Sequence, residues 1–282
     1  MTRRGIAHAL GAIALWSTLA VLGVRLRAVP PLLLVGIALL LGALAGGRAL
    51  LRRPPRPAVL ALGVYGLFAY HLCVFLGLRL APPVEANLVN YLWPLLIVVL
   101  TPLFIRGATL RPRHLVAALL GFGGAALLIS GGSLRLTAAR PVGYLFSLAA
   151  ALIWSTYSLL TKRIGDFPTS AVAWFCLVSG ALALGCHFAF EPAYAPSAGD
   201  LACLVPLGLG PMGAAFYLWD AALKRGDPRV IGALAYLAPL LSTLWLVVGG
   251  GARLSAISVA AMALIVGGAA IGTTARPRER ES

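Results

Sequence analysis

The segments Leu15-Trp16-Ser17-Thr18 and Ile153-Trp154-Ser155-Thr156 are nearly identical, and each lies within a long apolar run. Two further pairs of segments match at a similar distance: residues 90–96 (NYLWPLL) with 235–241 (AYLAPLL), and 123–126 with 267–270, both GGAA. The offsets are 138, 145 and 144 residues in that order. Because the offset is almost constant along the chain, it predicts a single duplication that produced two halves.

The composition is that of a membrane protein. Apolar residues make up 60% of the 282 residues and charged residues 11%, against roughly 45 to 50% and about 25% in soluble domains. A helix needs about 20 apolar residues to cross the hydrocarbon core of a bilayer. Ten such runs are present, at residues 5–24, 30–47, 58–78, 84–105, 114–131, 142–161, 169–189, 201–222, 229–248 and 255–273. The sequence therefore predicts an all-α membrane protein with ten transmembrane helices.

The net charge of +15 follows from membrane topology rather than from nucleic-acid binding. The basic residues lie almost entirely in the short connections between the apolar runs. If the N-terminus is cytoplasmic, 17 of the 23 Lys and Arg residues fall on the cytoplasmic face. The positive-inside rule then places both termini in the cytoplasm. No nucleic-acid partner is expected.

An odd number of crossings in each half gives the two halves opposite orientations. The predicted units are residues 1–131 with spans 1–5, a connection at 132–141, residues 142–274 with spans 6–10, and a cytoplasmic tail at 275–282. Such inverted repeats are typical of transporters whose substrate site lies between the repeats near the middle of the bilayer. Small-residue pairs such as Gly42-x-x-x-Gly46 allow close helix packing, either within the bundle or at a dimer interface. We favour the first, and a monomer is expected.

Polar and aromatic side chains concentrate at mid-span depth, where anchoring at the membrane interface does not explain them. Any one of them can equally be a core residue with a hydrogen-bonded tip. As a set they favour a cavity for a small amphipathic solute. The candidate substrate-binding residues are Trp16, Tyr70, His71, Asn87, Asn90, Tyr91, Trp93, Trp154, Tyr157 and Tyr236.

Two prolines at equivalent positions predict helix breaks. Pro94 removes the backbone hydrogen bond to the carbonyl of Asn90, and Pro239 removes the one to Ala235. A freed carbonyl is tolerated at membrane depth only against protein or a water-filled cavity. The symmetry of the two positions favours a cavity wall.

Acidic residues are scarce within the spans. Asp220 has Lys224 one turn later, as in an ordinary i,i+4 ion pair near the cytoplasmic end. Glu85 begins its span near the outer face, where it can stay hydrated. Because proton-coupled pumps need a carboxylate near the middle of the bilayer, the sequence favours facilitated transport of a solute without net charge. A zwitterionic amino acid fits, with amide, imidazole, hydroxyl and backbone groups at its head and rings around its side chain.

No motif indicates an enzyme, a metal site or a cofactor. Cys73, Cys176, Cys186 and Cys203 show no C-x-x-C spacing. The match of Gly208-x-Gly210-x-x-Gly213 to a dinucleotide fingerprint is accidental, because it lies in a span, follows no strand and contains Pro211. An enzyme would depend on the lone mid-span His71, and a receptor has no need of an inverted duplication. No cofactor is expected.

The ten spans, the Trp-Ser-Thr segments of spans 1 and 6 and the NYLWPLL segment of span 4 resemble the EamA-type members of the drug/metabolite transporter superfamily. Within it, the chain is most similar to the YddG-type aromatic amino acid exporters of bacterial inner membranes. The resemblance covers essentially the whole chain. It implies a basket-like bundle whose central cavity binds amino acids and alternates its opening. The implied cavity positions are Tyr70, Tyr91, Trp93 and Trp154, with Trp16 and His71 nearby.

The second half departs from the first at two of these positions, since Ala235 and Ala238 stand where the first half has Asn90 and Trp93. We therefore expect an asymmetric cavity with most contacts from spans 1, 3, 4 and 6.

The sequence thus predicts a multi-pass protein of the bacterial inner membrane that exports neutral, aromatic or hydrophobic, amino acids by alternating access. The expected partners are amino acids and related metabolites as substrates, and the lipid bilayer. A facilitative uniporter is the first reading. The alternative is a broader drug or metabolite efflux transporter, with or without proton coupling.

Overall fold

The computed structural model describes residues 2–133, 141–164, 167–248 and 255–273. Within these ranges all regular structure is helical. The α-helices are α1 Arg3–Trp16, α2 Leu19–Arg25, α3 Pro31–Ala45, α4 Pro57–Val64, α5 Tyr70–Leu80, α6 Pro83–Asn90, α7 Trp93–Phe104, α8 Pro112–Ser130, α9 Pro141–Ile164, α10 Val172–Phe190, α11 Ala198–Leu209, α12 Ala215–Arg225, α13 Pro228–Ala235, α14 Leu237–Val248 and α15 Ala256–Thr273. Two 3-10 turns (Gly47–Leu51 and Thr169–Ala171) and two π turns (Tyr65–Ala69 and Gly210–Ala214) adjoin them.

Helices that follow one another directly form long apolar segments. In the described ranges, nine segments are long and apolar enough to cross a membrane: Arg3–Arg25, Pro57–Leu80, Pro83–Phe104, Pro112–Ser130, Pro141–Ile164, Thr169–Phe190, Ala198–Arg225, Pro228–Val248 and Ala256–Thr273. The predicted all-α fold with several candidate membrane spans is confirmed for the described residues. The predicted second span, residues 30–47, is a shorter apolar helix of 15 residues, α3. The tail at 275–282 and most of the connection at 132–141 lie outside the described residues.

Prolines mark where many of these helices begin. A proline occupies the first position of α3, α4, α6, α8, α9 and α13. Proline fits there because its fixed φ is already helical and the first N–H has no partner within the helix. The prolines in the connections therefore mark the residues at which these helices begin.

Several long segments are interrupted near their middle. The first segment breaks after Trp16, and the Pro83–Phe104 segment breaks after Asn90. The Pro228–Val248 segment breaks at Tyr236, directly before Leu237 and Pro239. The segments Pro57–Leu80 and Ala198–Arg225 contain the two π turns, which start 145 residues apart. Interruptions therefore recur at equivalent positions of the two halves, although α9 runs unbroken for 24 residues where its counterpart, α1 and α2, is split.

The break between α6 and α7 is bridged by a side chain from the other half. In a continuous helix the N–H of Leu95 would donate to the carbonyl of Tyr91. Instead, the Leu95 N–H donates to the hydroxyl of Tyr236 at 3.1 Å, and that hydroxyl donates to the Tyr91 carbonyl at 3.3 Å. Tyr236 is fully buried. Its hydroxyl thus replaces the missing backbone bond in a region where water cannot do so.

Helix pairs pack closely where glycines face backbone. A Cβ at Gly124 in α8 would lie 2.6 Å from the Ala261 carbonyl oxygen of α15, and a Cβ at Gly268 in α15 would lie 2.7 Å from the Ala117 carbonyl oxygen of α8. The two contacts are related by an offset of 144 residues. In the same way, α5 packs on α9 while α1 packs on α12. Small residues permit this close approach where lipid provides no hydrophobic drive between helices.

The contact between α8 and α15 can be tested with neighbouring glycines. Gly268→Ala should lower stability by about 1–3 kcal/mol, because the new methyl group clashes with backbone that cannot move independently. A Cβ at the adjacent Gly267 would meet no atom of the described residues within 4 Å, so Gly267→Ala should keep or slightly raise the melting temperature. Thermal unfolding of the detergent-purified variants measures the difference. Equal melting temperatures would rule out this packing.

The bridge at the α6–α7 break is tested by Tyr236→Phe, which keeps the ring and removes the hydroxyl. Two buried backbone groups then lose their partner, at about 1–3 kcal/mol each, so the melting temperature should fall by several degrees. The control is Tyr65→Phe, because the Tyr65 hydroxyl bonds Thr156 at an exposed position. If both variants unfold at the same temperature, the bridging role of Tyr236 is refuted.

Candidate functional site

Four tryptophans from four helices meet at the centre of the largest core cluster. Trp16 ends α1, Trp93 begins α7, Trp154 lies in α9 and Trp219 in α12. Ring centroids are 5.0 Å apart for Trp16 and Trp219, 5.7 Å for Trp16 and Trp154, and 5.6 Å for Trp93 and Trp219. We call these four residues the tryptophan cluster. Two of them stand directly at helix breaks, so the interruptions of the backbone and the rings occupy the same region.

Further rings extend the tryptophan cluster on one side. Tyr70 lies 5.0 Å from Trp154 and 5.1 Å from His71, measured between ring centroids. Phe216 contacts both Trp154 and His71, at 5.8 and 6.1 Å. Tyr157, one turn after Trp154 in α9, lies 5.3 Å from it. The structure therefore brings Trp16, Tyr70, His71, Trp93, Trp154 and Tyr157 of the predicted set together.

Two of the tryptophan N–H groups at the cluster are hydrogen-bonded. The indole N–H of Trp16 donates to the carbonyl of Pro211, in the π turn Gly210–Ala214, at 3.1 Å. The indole N–H of Trp219 donates to the hydroxyl of Ser158 at 3.1 Å. Both bonds fix ring orientation, because an indole has a single donor.

Two hydrogen-bond acceptors lie beside the tryptophan cluster. The Asn90 amide nitrogen donates to the Tyr70 hydroxyl at 3.4 Å, but the buried Oδ1 of Asn90 has no hydrogen-bond partner among the described residues. Nδ1 of His71 donates to the carbonyl of Leu67, so in the neutral ring Nε2 is left as an acceptor. The site can therefore receive a donor such as an ammonium group.

Three predicted residues lie elsewhere. Tyr236 serves the α6–α7 break, and Tyr91 packs beside it in a separate core cluster. The side chain of Asn87 is half-buried and makes no hydrogen bond to another described residue. These three residues stay predictions as substrate contacts, because they lie outside the packed rings of the tryptophan cluster.

Two rings of the site, Trp219 and Phe216, are absent from the predicted set. Trp219 is 1% exposed and contacts three other tryptophans. The duplication gives no signal for it, since Val74 stands 145 residues earlier. Only the packing of α12 against α1 and α9 brings it to the centre.

Both acidic residues discussed from the sequence are buried: Asp220 forms the predicted ion pair with Lys224, whereas Glu85 was expected to stay hydrated. Asp220 is 1% exposed, and its Oδ2 accepts from Lys224 Nζ at 2.8 Å and from the Thr169 hydroxyl at 2.5 Å. Its Oδ1 is buried without a partner in the described part of the chain. Glu85 is also buried, and the Tyr144 hydroxyl donates to it. Helical periodicity could not predict this burial, because α9 covers Glu85 and the chain before α10 covers Asp220.

Two cavities open at the end of the bundle that contains Lys162. One, of about 390 Å³, is lined by Phe104, Ile105, Arg106, Lys162 and Arg163. The other, of about 360 Å³, is lined by Thr2, Thr101, Ile105, Ala108, Lys162, Arg225, Gly226, Asp227, Pro228 and Arg229. Burial acts to raise the pKa of Asp227, but hydrogen bonds from Arg229 outweigh it and hold that pKa below its ordinary value. The carboxylate is therefore ionised at neutral pH, yet basic groups dominate both walls.

Metal and thiol chemistry find no support in the described part of the chain. No group of three His, Cys, Asp or Glu side chains is arranged to hold a metal ion there. The four cysteines are free thiols.

The EamA-like transporter family model matches the chain twice, over residues 3–130 and 141–274. The chain is 45% identical over 273 residues to the "Aromatic amino acid exporter YddG" of Ancylobacter novellus, and the match covers 93% of this chain and 94% of the relative. It is 29% identical over 251 residues to the protein of the same name from Salmonella typhimurium, covering 82% and 84%.

A solved crystal structure superimposes with a TM-score of 0.91 at 44% sequence identity, covering 95% of this chain and 98% of the other. The matched relatives are named as transporters, in agreement with the prediction of a transporter rather than an enzyme. The two family matches span nearly the whole chain, and the chain belongs to the EamA-like transporter family.

Proposed function

We propose that this protein exports neutral aromatic or hydrophobic amino acids across the bacterial inner membrane, with the tryptophan cluster as the substrate site. The observation that carries the proposal is the meeting of Trp16, Trp93, Trp154 and Trp219 beside the open acceptor of Asn90. Aromatic faces suit apolar and aromatic side chains. The names of the two YddG relatives support the same substrate class.

The proposed architecture is ten spans in two inverted five-helix repeats, residues 1–131 and 142–274, with the connection 132–141 between them. The separate family matches of the two halves support the duplication. The equivalent placement of the interruptions and of the Gly124 and Gly268 contacts supports it as well. In this scheme α3, which is about 22 Å long at 1.5 Å per residue, is the second span. Ten crossings place both termini on the same side, and the excess of Lys and Arg on that side makes it cytoplasmic.

Substrate recognition is divided between head and side chain. Oδ1 of Asn90 and Nε2 of His71 accept from the ammonium group of the zwitterion. The tryptophan rings, which pack against one another at 5.0 to 6.3 Å, separate to enclose the substrate side chain. The two repeats then expose the site alternately to either side, as expected for a site between inverted repeats. Because each repeat supplies rings to the same site, the site is complete within one chain, and we expect a monomer.

We propose uniport rather than proton coupling. Asp220 is neutralised locally by Lys224, and Glu85 is engaged by Tyr144. Both carboxylates are engaged by protein side chains, so we expect neither to exchange a proton with bound substrate.

A broader efflux function is the second candidate. The apolar rings of the tryptophan cluster also suit lipophilic drugs or other metabolites, because their packing surfaces carry no formal charge.

The proposed activity predicts uptake into proteoliposomes. Purified protein should move labelled phenylalanine or methionine down its gradient without an imposed pH gradient. Excess unlabelled aromatic amino acid should compete, whereas a lipophilic cation should not. Strict dependence on a pH gradient would refute uniport, and competition by the cation alone would favour the efflux alternative.

The site predicts the effect of tryptophan substitutions. Trp154→Ala and Trp93→Ala each remove a ring that contacts the other three tryptophans of the cluster. Each should lower the transport rate at least about tenfold, as expected when roughly 1.4 kcal/mol of binding is lost. The control is Trp245→Phe, because Trp245 is half-exposed and outside the cluster, where it donates a hydrogen bond to Ser17. Transport initial rates are compared at equal amounts of folded protein. Normal transport rates in both alanine variants would refute the substrate-binding role of Trp93 and Trp154 and leave them as packing residues.

A further inference from the structure

The buried carboxylate of Asp220 lies directly beside the substrate site. It follows Trp219 in α12, and Trp219 bonds Ser158 of α9. From Trp154 to Lys162, α9 advances eight residues, or about 12 Å. The Asp220 cluster, which we define as Asp220, Lys224, Thr169 and the carbonyl of Phe167, therefore sits between the rings and the Lys162 end of the bundle.

The Asp220 cluster ties together segments that are distant in sequence. The Thr169 hydroxyl, at the start of the segment Thr169–Phe190, donates to Asp220. Lys224 Nζ donates to both Asp220 and the Phe167 carbonyl, at 2.8 and 2.7 Å, and lies 3.7 Å above the Phe167 ring. Lys162 Nζ, at the end of α9, donates to the Lys224 carbonyl at 3.0 Å. Three segments are thus closed against one another by polar contacts.

The cavities at the Lys162 end reach the outer side of this closure. The second cavity is lined by Lys162, Arg225 and Gly226, which are the immediate neighbours of the Asp220 cluster. On its inner side lie Trp219 and Tyr157 of the ring site. Separation of the polar contacts would connect the cavity with the rings.

The closed arrangement is not fully satisfied. The Oδ1 atom of Asp220 is buried without a hydrogen-bond partner among the residues that the structure describes, and an unpaired buried acceptor on a charged group is costly. Water that enters an opened cluster would supply the missing partner. The pairing therefore holds the segments together and at the same time limits the stability of the closed state, as a reversible closure requires.

We propose that the Asp220 cluster is the gate that separates the substrate site from the cavities at the Lys162 end, which is the cytoplasmic end in the proposed topology. The inference rests on the proposed function for the identity of the site, but its test uses no amino acid. The gate opens when Thr169 and Lys224 part from Asp220, and solute then passes between α9, α12 and the start of the segment Thr169–Phe190.

The test is thiol labelling at Thr161, which is fully buried one residue before Lys162. Thr161→Cys is introduced into protein whose native cysteines are replaced by Ala, and the rate of reaction with a charged methanethiosulfonate is measured in sealed vesicles of each orientation. Thr169→Val, which removes the hydroxyl but keeps the shape, should raise the rate about fivefold, the change expected when one hydrogen bond is lost. Thr169→Ser retains the hydroxyl and should label at the parent rate.

Two further variants make the outcome decisive. Asp220→Asn should also accelerate labelling, because it removes the ion pair. Glu191→Gln disturbs a comparable buried i,i+4 pair with His187 at the opposite end of α10, and should leave the rate unchanged. The gate is refuted if Thr169→Val labels within about twofold of Thr169→Ser, or if Glu191→Gln accelerates labelling equally. If labelling accelerates only from the periplasmic side, the gate is supported but the proposed membrane orientation is refuted. If the protein does not transport phenylalanine, the proposed substrate is refuted and the gate is not affected.

Discussion

The structure depends on the rule that backbone N–H and C=O groups in a membrane need partners within the protein. Continuous helices meet this rule by themselves, but this chain breaks several of its helices near their middle. Each break must then be covered by other parts of the molecule. The hydroxyl of Tyr236 between Leu95 and Tyr91, and the Trp16 indole on the Pro211 carbonyl, show how side chains meet this demand. The breaks are consequently confined to the centre of the bundle, where the opposite half supplies the partners.

This confinement also accounts for the position of the site. Trp16 ends one helix and Trp93 begins another, so the chain direction changes where the rings meet. The changes open the helices enough for four indoles to converge from α1, α7, α9 and α12. Elsewhere in the bundle the helices are closer together: Gly124 and Gly268 bring α8 and α15 into backbone contact. Close helix packing and helix interruptions thus occur in different parts of the same bundle.

The sequence predicted the membrane class and most of the helices, because hydropathy and proline positions act locally. It also predicted six residues of the ring site, since the duplicated Trp-Ser-Thr segments and the aromatic residues of spans 3 and 4 lie at mid-span. The list of candidates left out Trp219 and Phe216, whose proximity to the other rings depends on how α12 packs against α1 and α9. Tyr236, one of the candidate residues, bridges the backbone at the α6–α7 break. Asp220 was read as an ordinary ion pair, because an i,i+4 spacing carries no information on whether another segment covers the pair.

By itself the sequence determined that the chain is an all-α membrane protein, that its two halves repeat, and which residues are apolar enough to be buried. These properties depend on composition and on spacing along one helix. The tertiary structure alone decided which rings meet, which side chain bridges a broken helix, and that the Asp220 carboxylate is enclosed by segments from elsewhere in the chain. The physical reason is that burial and hydrogen-bond partners at these positions come from helices distant in sequence, and their approach is set by packing that no local pattern records.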